Sequence, residues 1–392
     1  MASLARPRSH WIVVVCCVLA VTAATTAAVM REPSAASAAG SGKSSSTSAK
    51  PSQAATVGHS LSFGLAYGDT LYGESQSTIN TSLNDAVSIG AKWIRVDFPW
   101  TSMQPTSGGA YQWADFDRIA SAAQSRGLKI DAVIDEVPQW ARESACTTSF
   151  YCAPASDSQF ASFAAAAATH YNGYGMSTWE IWNEPNLQAW APKPDPVAYT
   201  KLLEATSKAL RAVQPKAFII LGGLAALPSR ADIGRLSAYA FLTQVAALGG
   251  TKYVDAVGYH PYSLPQMPSD AATFQAISSA PENLEAVLQR YGTPNVSIWL
   301  NETGAQIDDG ATDPTGAKAA TKQQESTQAA YATNLVHTVA ANDYVGADFW
   351  YSDQDAPQNN LYFGLRRANG SYRPAFAALK SAIAGCSCNS GH

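Results

Sequence analysis

From residue 62 onward the chain alternates eight times between a short apolar run and a longer amphipathic segment. That is the pattern of parallel β/α units, in which each strand is followed by a helix that returns to the start of the next. The apolar runs predict strands over residues 62–66, 93–97, 128–134, 178–182, 218–222, 256–259, 297–301 and 346–350. The amphipathic segments predict helices over 78–89, 116–126, 156–171, 197–214, 234–248, 282–291, 325–341 and 375–384. Eight units are the number that closes a barrel, so the expectation is an α/β fold, a TIM (β/α)8 barrel forming a single catalytic domain over 59–388. Local punctuation agrees with this register. Asp195-Pro196 supplies a capping side chain and a proline at a helix start, and Arg126-Gly127 reads as a helix stop. The long connections, 138–155, 185–196 and 306–321, all follow strands, which is the end of a barrel where sites are built.

Ahead of the barrel the pattern changes. Residues 1–30 carry Arg6 and Arg8 and then an uncharged run from Trp11 to Met30 with a strongly apolar centre, which is an export signal. Small residues offer cleavage near Ala23 or at Ala36-Ser37-Ala38, and the run is also nearly long enough to stay as a membrane anchor. Residues 31–58 are rich in Ser, Ala, Gly and Thr and cannot bury enough apolar surface to fold, so they read as a tether.

Composition narrows the partners. With 46% hydrophobic and 14% charged residues the remainder is globular, and a net charge of −4 with no basic run argues against nucleic acid. Export places the cysteines in an oxidising space. Cys146 and Cys152 flank a short loop after the third strand and are the favoured pair; the pairing of Cys386 and Cys388 stays open. The spacings are not CxxC, and the six histidines form no HxH or HExxH pattern, so neither metal nor cofactor is expected. A monomer is expected.

Chemistry concentrates in two stretches. Trp179-Glu180-Ile181-Trp182-Asn183-Glu184-Pro185-Asn186 runs a strand composition into an abrupt stop, because Pro185 cannot donate to a ladder. Ser297-Ile298-Trp299-Leu300-Asn301-Glu302-Thr303-Gly304 repeats the arrangement. Glu184 and Glu302 are thereby set at strand C-termini, far apart in sequence. Two such carboxyls are what glycoside hydrolysis needs: one protonates the leaving oxygen while the other attacks or activates water at the anomeric carbon. Glu180 lacks the stop and reads as a buried structural partner.

These motifs resemble the glycoside hydrolases of clan A, whose acid/base follows strand four in an Asn-Glu-Pro motif and whose nucleophile follows strand seven. Gly-Leu-Ala-Tyr-Gly at 64–68, Trp-Ile-Arg-Val-Asp at 93–97 and Gly-Tyr-His-Pro-Tyr at 258–262 look most like family 39 and its bacterial exopolysaccharide-cleaving relatives, with family 5 second. The resemblance implies that Glu184 is acid/base and Glu302 nucleophile, that Asn183 bonds the sugar 2-hydroxyl, and that Arg95 supports the nucleophile. It further implies that His260 and Tyr262 orient the nucleophile and line the first subsite. Among the ten tryptophans, Trp350 at the end of strand eight is the expected platform under the sugar, with Trp140 and Trp190 as further subsites. Asp135 and Glu136, ending strand three, are expected to read substrate hydroxyls.

The expected activity is a retaining glycoside hydrolase, secreted or held at the envelope, acting on a β-linked polysaccharide or oligosaccharide. The other reading is a catalytically silent barrel that binds carbohydrate. No Gly-x-Ser-x-Gly elbow supports an esterase. Because cleft candidates are aromatic and acidic without a Lys or Arg cluster, a neutral glycan is expected over a polyuronate.

Overall fold

The computed structural model describes residues 61–146, 148–307 and 320–386. The expected signal and tether, most of the 306–321 connection, and Cys388 lie outside the described residues. Eight strands are present among those described: β1 Ser62–Gly68, β2 Trp93–Pro99, β3 Lys129–Asp135, β4 Thr178–Ile181, β5 Phe218–Ala225, β6 Ala256–His260, β7 Ser297–Thr303 and β8 Val345–Tyr351. They pair in sequence order, all parallel, and β8 closes on β1 to complete the barrel. The principal helices are α1 Gln76–Ile89, α2 Ala114–Gln124, α3 Asp157–Tyr171, α4 Pro196–Val213, α5 Ala238–Ala247, α6 Leu284–Arg290, α7 Lys322–Ala340 and α8 Pro374–Gly385. Short helical turns at Trp100–Met103 and Ala272–Gln275 fall in the connections after β2 and β6.

Helix ends follow the local chemistry read from the chain. Asp195 accepts from the backbone N–H groups of Val197 and Ala198 with Pro196 in the first turn of α4, and Gly127 takes φ 67° beyond the end of α2. Ser75 caps α1, and Thr321 and Gln324 form a reciprocal capping box on α7.

Because side chains alternate across a strand, each β-strand feeds two cores. Ala66, Ile220, Trp299, Ala347 and Phe349 fill the barrel interior. The opposite faces pack against the helical ring, with Leu65, Ile94, Ile181, Leu221 and Val257 among the contributors. β5, β6 and β7 run past their expected ends, to Ala225, His260 and Thr303. His260 and Glu302 therefore sit within strands. No helix among the described residues is long and apolar enough to cross a membrane.

Candidate active site

Arg95, fully buried on β2, organises the floor of the site. Its guanidinium donates from Nε to Glu180 Oε2 at 2.7 Å and from Nη2 to Glu180 Oε1 at 3.0 Å, a bidentate pair. Nη1 donates to Glu302 Oε1 at 2.6 Å, and Nη2 also donates to Asn183 Oδ1 at 2.9 Å. Glu180 is thus the buried partner expected of it; Gly223 N also donates to it at 2.8 Å. A guanidinium has donors only, so Asn183 must offer it the carbonyl oxygen, which turns the amide NH2 away from Arg95.

The turn after β4 carries backbone strain. Trp182 and Glu184 take φ of 73° and 47°, the left-handed region that non-glycine residues seldom enter. Both are held there. Trp182 Nε1 donates to Ala189 O at 2.6 Å, Glu184 N donates to Gly223 O at 2.9 Å, and the buried Asn186 side chain bridges Ala225 and Leu236. The turn aims the Glu184 carboxyl at β6, where His260 Nδ1 lies 3.1 Å from Glu184 Oε1 and 3.6 Å from Glu302 Oε2. Those two oxygens are therefore no more than 6.7 Å apart, the sum of the two distances. Tyr262 OH donates to Glu302 Oε2 at 2.9 Å.

The close approach of β5 depends on glycine. A β-carbon at Gly223 would collide with the His260 ring, and one at Gly222 with the Trp182 carbonyl. Neither was singled out in the sequence; the consecutive glycines in an apolar run were the available signal.

The two glutamates titrate in opposite directions. Burial pushes the Glu184 carboxyl above its ordinary value, and the neighbouring Glu302 adds to this against the contrary pull of His260 and Arg95. Burial acts on Glu302 in the same sense. There the positive charges of His260 and Arg95 and the hydrogen bonds from Tyr262 and Arg95 outweigh it and hold the carboxyl below its usual value. For His260 burial disfavours charge, yet the two carboxylates prevail and raise it.

The structure brings Arg95, Asn183, Glu184, His260, Tyr262 and Glu302 together at the barrel mouth, with Asp135 and Glu136 ending β3 beside them. It does not bring Trp350 there. That indole is 1% exposed, donates to Phe363 O at 3.1 Å and packs edge-on to Tyr331 of α7. The expectation was off by one residue. Ala347, Phe349 and Tyr351 share the interior side of β8, so the aromatic facing the cleft is Tyr351, half-buried and packed on Phe363. Trp190 is likewise not a cleft residue: it is 3% exposed between Trp182 and Tyr199. Trp140 is half-buried against Trp100, its Nε1 donating to Gln104 O at 3.0 Å. The loop from β3 is clipped by the Cys146–Cys152 disulfide, Cα to Cα 5.5 Å, the favoured pair. Asp69 and Asp97 were also passed over; the alternation Trp93, Arg95, Asp97 was the signal for the latter.

A closed eightfold barrel with two carboxyls of opposite titration, fixed by an arginine and a histidine at the strand C-termini, is the architecture of a barrel glycosidase. The family model described as cellulase, glycosyl hydrolase family 5, matches residues 49–350. The chain belongs to that family, a glycoside hydrolase family of clan A and the one expected second. Its fold is shared with a family 39 glycoside hydrolase from the gut symbiont Bacteroides cellulosilyticus WH2 at TM-score 0.63 and 22% identity, covering 82% of this chain and 64% of that enzyme's length. A monomeric β-xylosidase from Caulobacter crescentus CB15 aligns at TM-score 0.61 and 18% identity, covering 83% of this chain and 68% of that one. A family 5 enzyme from Streptomyces cattleya, in complex with Manb1-4GlcNAc, aligns at TM-score 0.60 and 16% identity, covering 83% and 80%. No curated protein matches the sequence.

Proposed function

We propose that the protein is an exported glycoside hydrolase that cleaves β-linked glycans by double displacement, with Glu184 as acid/base and Glu302 as nucleophile. The observation that carries this is the opposite displacement of the two carboxyls: burial raises Glu184, favouring its protonated form, while His260, Arg95 and Tyr262 lower Glu302, favouring its ionised form. Glu302 would attack the anomeric carbon as Glu184 protonates the leaving oxygen; Glu184 would then take a proton from the water that releases the sugar. An oxygen separation of at most 6.7 Å accommodates the spacing of about 5 to 5.5 Å that a retaining pair uses. Asn183, oriented by Arg95, is suited to donate to the sugar 2-hydroxyl, and Tyr351 to form one wall of the subsite. A disulfide on the β3 loop accords with life outside the cytosol.

The test is hydrolysis by the full chain across aryl β-glycosides and polysaccharides, with product configuration followed by NMR. Glu302→Gln and Glu184→Ala should each lower kcat by at least about a thousandfold, as loss of one member of a catalytic pair does. Turnover surviving both substitutions, or product of inverted configuration, would overturn the assignment.

A further inference from the structure

Beside the paired glutamates, on the β1 to β3 side of the mouth, four carboxyls converge that this reaction does not use. Asp69 follows β1, Asp97 lies on β2, Asp135 ends β3, and Glu136 comes next in an unusual left-handed backbone at φ 55°. Asp97 shares the inward side of β2 with Arg95, and Asp135 pairs in register with Pro99, two residues further on. The notch left by Gly68 places them against the active site. A point at its missing β-carbon lies 3.7 Å from Asp97 Oδ2 and 3.8 Å from the Tyr351 ring. Asp69 and Asp97 are half-buried, whereas Asp135 and Glu136 are 3% and 4% exposed. Asp135 Oδ1 and Glu136 Oε2 are buried with no hydrogen-bond partner.

Cations on hand do not balance this group. Arg95 is committed to Glu180, Glu302 and Asn183, and Arg142, beside Glu136, donates its Nε to Val137 O. Burial, with repulsion from neighbouring carboxyls added, raises Asp97 to about 7 and lifts Asp135 and Glu136 well above their ordinary values against the pull of Arg95 and Arg142, and burial raises Asp69, so the cluster without a ligand favours its protonated form. A bound cation would supply donors and positive charge in exchange for those protons, and would pair the acceptors that burial leaves without a partner. Among the described residues no group of three His, Cys, Asp or Glu could hold a metal ion. The lack of Lys and Arg that argues against polyuronates does not separate neutral from cationic sugars.

We propose that this cluster is a subsite for the ammonium group of a de-N-acetylated amino sugar, so that the preferred substrate is a glycan containing unacetylated hexosamine; this rests on the glycosidase reading above. The ammonium would donate to the unpartnered Asp135 Oδ1 and Glu136 Oε2, taking the place of their protons, with Asp97 adding its charge as it deprotonates. An acetamido group carries no charge, and its acyl methyl would face the orphaned carboxylates.

Calorimetric titration of the full chain carrying Glu302→Gln tests this without turnover. The probes are the β-1,4 glucosamine tetramer and the methyl β-glycosides of glucosamine and galactosamine, each against its N-acetylated and its hydroxyl counterpart. The amino forms should bind at least about tenfold tighter, and Asp135→Asn, Glu136→Gln or the half-buried Asp97→Asn should each reduce that preference by about tenfold. Equal or weaker binding of the amino forms, or a preference surviving all three substitutions, overturns the proposal. So does stabilisation of the fold by calcium chloride with no response to the glucosamine tetramer, which assigns the cluster to a metal. Selective binding without hydrolysis of any glycan by wild type would defeat the glycosidase reading and leave the subsite standing; hydrolysis with no ammonium preference would do the reverse.

Discussion

Replacing Tyr262 with phenylalanine removes a single hydroxyl from the site and isolates how Glu302 is kept ionised. That hydroxyl donates to Glu302 Oε2 at 2.9 Å, while Arg95 remains on Oε1 at 2.6 Å. A hydrogen bond to a charged group contributes about 1.5 to 3 kcal/mol. The Glu302 side chain is 15% exposed, so solvent screening takes little from this. At about 1.4 kcal/mol per pH unit, the loss corresponds to a rise of roughly one to two units in the Glu302 pKa. In the kcat/KM profile the acidic limb reports ionisation of the nucleophile and the alkaline limb deprotonation of the acid. Tyr262→Phe should therefore move the acidic limb up by roughly one to two units and the alkaline limb much less, because Tyr262 OH bonds Glu302 and not Glu184. Stability has the same sign. A carboxyl held below its ordinary pKa stabilises the fold above that value and loses the contribution as pH falls through the folded pKa. The variant should then be less stable than wild type at pH 7 and equal to it once Glu302 is protonated in both. An acidic limb that stays put, or moves downward, would refute the reasoning and reduce Tyr262 to packing against Phe363.

Asp348, on the outer face of β8 beside Phe63 and Leu300, is 2% exposed and raised by burial to about 7, so it stabilises below its unfolded value near 3.8 and costs stability as pH rises through 7. Asp348→Asn should raise the melting temperature at pH 8, by a free energy of up to about 4 kcal/mol, and change it little at pH 4, as differential scanning calorimetry can read. Trp350→Ala should cost roughly 3 to 5 kcal/mol of stability as a core deletion, whereas Tyr351→Ala should raise KM far more than it lowers the melting temperature; the opposite split would restore Trp350 as the sugar platform. Breaking Cys146–Cys152 with Cys146→Ser should cost about 2 kcal/mol for so short a loop, measurable by urea titration of the oxidised protein. Gly223→Ala should abolish activity while leaving far-ultraviolet dichroism near wild type, since the new methyl collides with the His260 ring and not with the outer core.

What the sequence revealed, and what it hid, follows from the reach of each signal. Strand positions were legible because a (β/α)8 barrel repeats a strong local pattern eight times, and the strand-then-stop motif at Glu184 announces a change of backbone state that Pro185 enforces. Arg95 to Glu302 spans 207 positions, yet the resemblance supplied their pairing; spacing alone could not. The failures came from parity. A strand assigned correctly over residues 346–350 still leaves open which of two adjacent aromatics faces inward, and a shift of one residue exchanges Trp350 for Tyr351. Trp190 misled for another reason: it follows a strand but belongs to the ring packing of Trp182 and Tyr199 that braces the strained turn, so its loop position carried no information about exposure. The acidic cluster was the least legible feature. Asp135 and Glu136 were expected to read substrate hydroxyls, but Asp69 and Asp97 come from two other β/α units and are unremarkable as lone carboxyls in the sequence. The direct pairing of β1 with β2 and of β2 with β3 makes them neighbours, and the proposed ammonium subsite depends on their burial. In this fold strand identity is written locally, whereas the proposed substrate selection rests on which side chains share the inward face at neighbouring strand ends, and that is set by the register of the paired strands.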